Sequence, residues 1–430
     1  MCAMALALAG CLSDVGGQDR PEESVAMLAT PDPTSTAKPT HSEKINAQSA
    51  IIQGLLARRS VLPASSPYAS VATSVLAANS RSAESELRAA QLRARAASKN
   101  WLPSIGPQIS LTSLGSVVAN LVVEQVIYDN GRKKGEREFA VADVEVAATA
   151  LAADTNERVA TALDLYITAA QARETQALKQ LNFKDISHFE WVMQQRVQGG
   201  VSDASDLNVL RQKLGEIGAD RAAAAEAAST AIAELNAMSI QDLSGLRGAP
   251  QLPVSATAAR PLSVTLSEAE KIRAIAAAEV DRASQLPGLT AGGTVGENST
   301  FGLKLASETL LGLGTGDRLK AIEATKQAAG RAVAQATEDA NRELRRLEGQ
   351  IAAKERQAAE AAVLSAQAKR NLDLFQAQYD AGQRQVIDVV GVYETFARQQ
   401  EAQITLKYDA LRLRVEMAEL LGVLANGSEI

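Results

Sequence analysis

Aromatic residues make up only 3% of this 430-residue chain. A thick globular core of the ordinary enzyme type leans on such side chains, so the composition argues against one. Cysteine is nearly absent. Cys2 and Cys11 both sit at the extreme N-terminus, where a bridge would fix nothing in the body, and a disulfide framework is excluded. His41 and His188 are isolated, which leaves no ligand set for a metal centre. No stretch reaches the roughly 18 consecutive apolar residues of a membrane-spanning helix. A chain of this kind can cross a bilayer only as a closed β-barrel. The net charge of −6 argues against nucleic acid as a partner, since phosphate binding needs concentrated positive charge. There is no GxxxxGK loop, no histidine-centred site and no carboxylate cluster beside a nucleophile, so neither an enzyme nor a cofactor is expected.

Ala, Gln, Glu, Arg and Leu dominate long stretches instead, a mixture suited to long helices with small-residue seams. The first ten residues are apolar and uncharged and end in small residues, as a secretory signal does. Leu8-Ala9-Gly10-Cys11 resembles a bacterial lipobox, which predicts lipidation at Cys11 and a signal remnant over 1–11. Residues 12–66 are rich in Pro, Ser, Thr and Asp and read as an extended tether, with a weak helical stretch around 45–58.

Proline punctuates the rest. Pro63, Pro67, Pro103, Pro107, Pro250, Pro253, Pro261 and Pro287 leave 108–249 and 288–430 free of it. Both gaps can hold uninterrupted helices, because an interior proline costs about 3 kcal/mol or more. Their similar lengths point to duplication. Leu102-Pro103 recurs as Leu286-Pro287 at an offset of 184; Gly200 and Asp206 recur as Gly382 and Asp388 at 182; Ala233-Glu234-Leu235 recurs as Ala418-Glu419-Leu420 at 185. These matches divide the chain into a first repeat over 67–245, a linker over 246–262 and a second repeat over 263–425.

Within each repeat the hydrophobic period changes. Residues 68–98 carry a helical pattern. From Trp101 the period becomes two, with Ile105, Ile109 and Leu111 on one face, and Val118, Val122 and Val126 alternating after a turn near Leu114-Gly115-Ser116. In the second repeat Phe301, Leu303 and Leu305 alternate with Lys304 and Glu308, and glycines such as Gly292, Gly293, Gly296 and Gly312 crowd the hairpin. Such strands have either a core face and a wet face, or a lipid face and a wet lumen. Helices over roughly 132–198 and 318–380 follow, each ~100 Å long. Glycine turns then lead into returning helices over about 203–238 and 385–423. Leu207, Leu210, Leu214 and Ile217, and Ile404, Tyr408, Leu411, Val415 and Ala418, are spaced as coiled-coil seams.

Three stretches in this repeated order resemble the TolC family of outer-membrane factors over about residues 68–424: Gln125-Val126-Ile127-Tyr128-Asp129-Asn130-Gly131-Arg132-Lys133, then Tyr379-Asp380-Ala381-Gly382-Gln383-Arg384-Gln385-Val386-Ile387-Asp388-Val389-Val390, then the tail Leu420-Leu421-Gly422-Val423-Leu424. The resemblance implies a mainly α fold of long antiparallel helical hairpins forming an α-barrel. Four strands per chain would contribute to a trimeric, 12-stranded transmembrane β-barrel in the bacterial outer membrane. Four strands are too few to close a barrel alone, and the helices need lateral partners for their seams, so a homotrimer answers both needs. The implied function is a passive exit duct of a tripartite efflux or type I secretion system. Its partners would be a periplasmic adaptor, an inner-membrane pump or ABC exporter, and outer-membrane lipid; the cargo class stays open. The alternative is a periplasmic coiled-coil adaptor or scaffold without a pore.

By the same resemblance, Asp206, Tyr379, Arg384 and Asp388 form a periplasmic gate and constriction, and Gly200 and Gly382 mark the hairpin tips where an adaptor docks. The chemistry is available: Arg384 can pair with a carboxylate such as Asp206, Tyr379 can donate its hydroxyl to it, and a ring of Asp388 carboxylates favours cations. The same residues also read as solvated positions of a first helical turn. Two features depart from the family pattern: Gly391 stands where a second aspartate is common, and only Trp101, Tyr128 and Phe301 are available as interfacial aromatics.

Overall fold

The computed structural model describes residues 49–78, 82–113, 116–296, 299–306 and 312–429, which belong to one body. Cys11, the lipobox, Glu308, Leu114-Gly115 and the tether up to residue 48 lie outside the described residues. In chain order the elements are α1 (Ala50–Leu56), α2 (Pro67–Ala77), α3 (Ser82–Ala97), β1 (Ser104–Ser113), β2 (Ser116–Tyr128), α4 (Arg132–Gln198), α5 (Ala204–Ala237), α6 (Leu262–Ser284), β3 (Gly288–Val295), β4 (Thr300–Ala306), α7 (Thr315–Asp380) and α8 (Val386–Leu420), with a 3-10 turn at Gly427–Glu429. Helix, strand hairpin, long helix and returning helix thus occur twice.

The 67 residues of α4 extend it to ~100 Å. It is central. Small residues such as Ala142, Ala148, Ala152 and Ala162, all buried, let α3, α5, α6 and α8 approach it. The equally long α7 is peripheral and buries a single stripe: Ala340, Leu344, Leu347 and Ile351, then Ala361, Ser365, Ala368 and Leu372. Its steps of three and four are those of a coiled-coil seam packed mainly on α8, while the first part of α7 also packs on α6, where Lys326 pairs with Glu279. Large apolar side chains elsewhere on the long helices stay uncovered in the protomer, among them Leu181, Trp191, Val363 and Leu374.

Three segments without long helices converge on the middle of α4. The C-terminal tail docks first. Gly422 takes φ +62°, which ends α8 at Leu420 rather than at 423 as the pattern predicted, and Val423, Leu424 and Ala425 are buried beyond it. Asn156 of α4 accepts from the Leu424 N–H at 2.8 Å. The linker is bound down along its length: Tyr68 donates to the Pro250 carbonyl at 2.8 Å, Tyr166 to Gly248 at 2.6 Å and Arg414 to Leu252 at 2.9 Å. The segment acts as a strap across the helices that begins where α5 ends at Ala237, earlier than the predicted 246, and it buries its own Leu243 and Leu252.

The third segment is the end of the N-terminal stretch, where α1 buries Ile52 and Leu55. Behind α1, Arg58 is only 9% exposed and has no acidic partner among the described residues. Its guanidinium donates to the Leu421 carbonyl at the end of α8, to the Arg260 carbonyl at 2.9 Å and to Thr265 Oγ1 at 3.4 Å. The negative end of the α8 dipole thus receives a buried cation. Arg58→Ala leaves these acceptors buried and unsatisfied, and should lower the stability of the purified protein by roughly 2–3 kcal/mol in thermal unfolding followed by circular dichroism.

An electrostatic cost lies nearby. Glu419 of α8 is half-buried, and burial first, then the charges of Glu157 and Glu416, push its carboxyl above the ordinary value. Arg346 is engaged with Glu343 and with Glu416, the latter at 2.9 Å. A carboxylate raised in the folded state disfavours folding when ionised, so the penalty is full above the folded pKa and vanishes as pH falls below the unfolded one. Glu419→Gln should therefore raise the melting temperature at neutral pH, with the gain fading on acidification into the ordinary carboxylate range.

Candidate functional site

Two ends of the molecule hold the residues of interest. At one end the four strands form a single antiparallel sheet in the order β1-β2-β3-β4, so the two hairpins join through β2 and β3. The outer edges of β1 and β4 have no pairing partner among the described residues.

The register sorts the side chains by face. Ile105 lies opposite Val123, and Pro107 opposite Leu121. Leu121 lies opposite Val295, Leu289 opposite Leu305, and Ala291 opposite Leu303. Among the described side chains this face is apolar save for Gln125, and it is open: Ile109 and Leu303 are each 70% exposed and Phe301 78%. Its polar member, Gln125, turns its amide to the carbonyls of Trp101 at 2.9 Å and Val126 at 3.0 Å. The other face holds Gln108, Asn120, Glu124, Thr290, Thr294, Thr300 and Lys304. Val122 and Val126 belong to this polar face, opposite to that of Ile105 and Ile109, because Ile105 pairs with Val123 rather than with a neighbour one residue away. Trp101 and Tyr128 stand exposed at the helix end of the sheet, and Phe301 stands near its turn end.

At the opposite end the two helical hairpins share one apolar cluster, in which Ile186, Phe189 and Met193 of α4 meet Val386, Val389, Val390 and Tyr393 of α8. Both tips use the same turn. Gly200 has φ +70° and Gly382 φ +74°, a region open to glycine. The N–H of Val201 bonds to the Arg196 carbonyl at 2.9 Å and that of Gln383 to Gln378 at 2.8 Å, the long bond of a Schellman motif. Each returning helix then carries an aspartate at its third residue. Asp206 follows the N-cap Asp203, whose carboxylate accepts from the Ser205 N–H at 3.0 Å. Asp388 forms a reciprocal capping box with Gln385.

Within the protomer the predicted gate residues are neighbours without being bonded to one another. Arg384 does not reach Asp206. Its guanidinium lies 4.5 Å from the centre of the Phe375 ring, and its Nε donates to Gln378 Oε1 at 3.0 Å. Tyr379 packs against the tip cluster. No described side chain bonds to the Tyr379 hydroxyl or the Asp206 carboxylate. Asp388 is exposed and committed to the start of α8, and Gly391 is exposed one turn further on.

Sequence reasoning missed what fastens the hairpins together. Tyr393 of α8 lies 3.0 Å from Asn182 Oδ1 and 2.8 Å from Asp185 Oδ2 of α4. Burial, then the Asp185 carboxylate, push its hydroxyl upward, so it remains a donor at any physiological pH. Further along the same interface, Lys179 pairs with Glu401 at 2.9 Å, Lys407 with Glu174 at 2.8 Å and Arg412 with Asp164 at 3.1 Å. Only a tyrosine inside an apolar seam could have signalled this ladder, since its acidic partners lie about two hundred residues away.

No helix among the described residues is long and apolar enough to cross a membrane, which leaves the sheet as the element of interest there. No protein-family model matches the sequence, and no curated protein matches it either. Solved structures do match. A membrane protein from Pseudomonas aeruginosa is 17% identical at a TM-score of 0.71, with 86% of this chain and 92% of that one covered. The Campylobacter jejuni CmeC outer membrane channel is 14% identical at 0.68, covering 84% and 87%. The open state of the Neisseria gonorrhoeae MtrE outer membrane channel is 16% identical at 0.66, covering 84% and 90%. The chain has the fold of these outer-membrane channels, the fold that its resemblance to the TolC family implied.

Proposed function

We propose that the chain is one protomer of a trimeric outer-membrane exit duct, a passive conduit of a tripartite efflux or type I secretion system. The observation that carries this reading is the open four-stranded sheet, with one exposed apolar face and two unpaired edges. A soluble protein would cover that face, and a lone sheet of four strands cannot close. Three copies joined edge to edge make a twelve-stranded barrel whose apolar face meets lipid and whose polar face lines water. Trp101 and Tyr128 at one end and Phe301 at the other then lie near the two membrane interfaces. The uncovered apolar residues of α4 and α7 gain partners in the same assembly. An adaptor would instead flank one hairpin with compact β-domains, and the likeness to outer-membrane channels over most of both chains weighs against that alternative.

In this reading the helices extend into the periplasm, and the tips at Gly200 and Gly382 close the duct and meet a periplasmic adaptor, beyond which an inner-membrane pump or exporter supplies energy. Asp206, Tyr379 and Arg384 have bonding capacity unspent within the protomer, which suits links made between protomers, and Asp388 rings the constriction. Cys11 would add a lipid anchor. Fractionation tests the whole: the duct predicts a heat-sensitive trimer in the outer-membrane fraction, whereas a soluble periplasmic monomer contradicts it.

A further inference from the structure

The four strands carry only two side chains that are charged at neutral pH, Glu124 on β2 and Lys304 on β4. Both lie on the polar face, in adjacent rows near its helix end: Glu124 is opposite Gly292, and Lys304 is opposite Thr290. Both are exposed, and neither has an ion-pair partner among the described residues. The charges beside them in the cleft at the sheet's base are already engaged. Asp129 accepts from the N–H of Gly131 at 3.1 Å and of Lys133 at 2.7 Å, and Arg132 pairs with Glu136 at 3.0 Å. Among the described residues, Glu124 and Lys304 are the charged side chains of that face that make no bond.

Their strands give them a regular spacing. β2 and β4 are separated by one strand within the protomer, which puts the two charges about 10 Å apart across the sheet and about 7 Å apart along it, or about 12 Å in all. This step rests on the duct reading: if β4 of one protomer lies beside β1 of the next, the following β2 is again two spacings away. Every second strand around the barrel then carries a charge, and the sign alternates. No two like charges are adjacent, and each is separated from its opposites by about one Debye length in ordinary salt.

We propose that Glu124 and Lys304 form a collar of alternating charge at the helix end of the barrel and set the ion selectivity of that segment. The collar has no net charge and passes cations and anions alike, unlike a constriction ringed by carboxylates alone. Neutralising one member leaves like charges on every fourth strand and a lumen of one sign.

The test is the reversal potential of single channels in planar bilayers under a KCl gradient, with every chain also carrying Asp388→Asn to remove the carboxylates proposed for the constriction. Glu124→Gln should shift the permeability ratio about twofold toward chloride, and Lys304→Gln about twofold toward potassium, a size set by unit charges about 10 Å from the ion in screened water. The double variant should return to the parental ratio, a cancellation that a merely structural role would not produce. Conducting channels whose ratio is unchanged in both single variants overturn the collar and leave the duct standing. A parental chain that forms no channel overturns the duct and the collar with it.

Discussion

Leu303→Arg is expected to strip the protein from the outer membrane while leaving its long helices folded. Leu303 lies in the middle of β4, is 70% exposed, and shares its face with Phe301, Leu305, Ala291 and Ile105. If that face meets hydrocarbon, an arginine there costs about 2–4 kcal/mol per protomer near the bilayer midplane, repeated in every copy of the ring. A marginal assembly does not survive such a penalty. The helical body depends on other contacts, mainly the clusters around Tyr166 and Leu347 and around Phe189 and Val389, and should keep its circular dichroism. The neighbouring residue supplies the control. Gly302 faces the other way and has open space where a side chain would begin, so Gly302→Arg should assemble normally. Density-gradient fractionation and the heat-sensitive trimer band read both variants. Normal assembly of Leu303→Arg with loss of Gly302→Arg would mean that the faces are assigned the wrong way round.

The second large effect is expected at the tips. Arg384→Ala combined with Tyr379→Phe should raise single-channel conductance several-fold in planar bilayers, by removing the polar links proposed to hold neighbouring protomers together at the constriction. Neither change should unfold the tip, because Arg384 is exposed and the phenyl ring that packs Tyr379 against the tip cluster is retained. Conductance equal to that of the parent would remove the gate assignment. Tyr393 provides a contrast, since it binds the two hairpins within one protomer at Asn182 and Asp185. Tyr393→Phe should loosen the protomer itself, and its effect should appear as a lower melting temperature as well as in conductance.

Elements governed by local chemistry were legible in the sequence. The end of α4 at Gln198 follows from Gly199-Gly200, and its start at Arg132 from Asp129-Asn130-Gly131, so both boundaries could be read from turn residues. The seam of α8 at Ile404, Tyr408, Leu411, Val415 and Ala418 is buried as its spacing predicted. Features set by distant contacts were not legible. Which face Val122 and Val126 occupy depends on the pairing of β2 with β1 and β3, and period-two alternation leaves that free. The linker read as polar connecting chain because its attachments, from Tyr68, Tyr166, Arg173 and Arg414, belong to other elements. Arg384 could be placed at a tip from Gly382, but not on Phe375, because only the folded turn carries it back over α7. The Asp206 and Asp388 pair shows both sides at once: their shared offset marked them as equivalent, and the structure makes them the third residue of equivalent helices.

A cysteine crosslink tests whether β4 of one protomer joins β1 of the next, as a shared barrel requires. Gly302→Cys would be combined, one pair at a time, with cysteine at Gly106 or Gln108, which lie on the same polar face of the opposite edge. One such pair, oxidised in intact outer membranes, should yield a covalent ladder ending at three times the 45.2 kDa chain, absent from the parent and lost on reduction. If the protein reaches the outer membrane and every pair stays monomeric, the edges do not meet and the shared barrel is wrong.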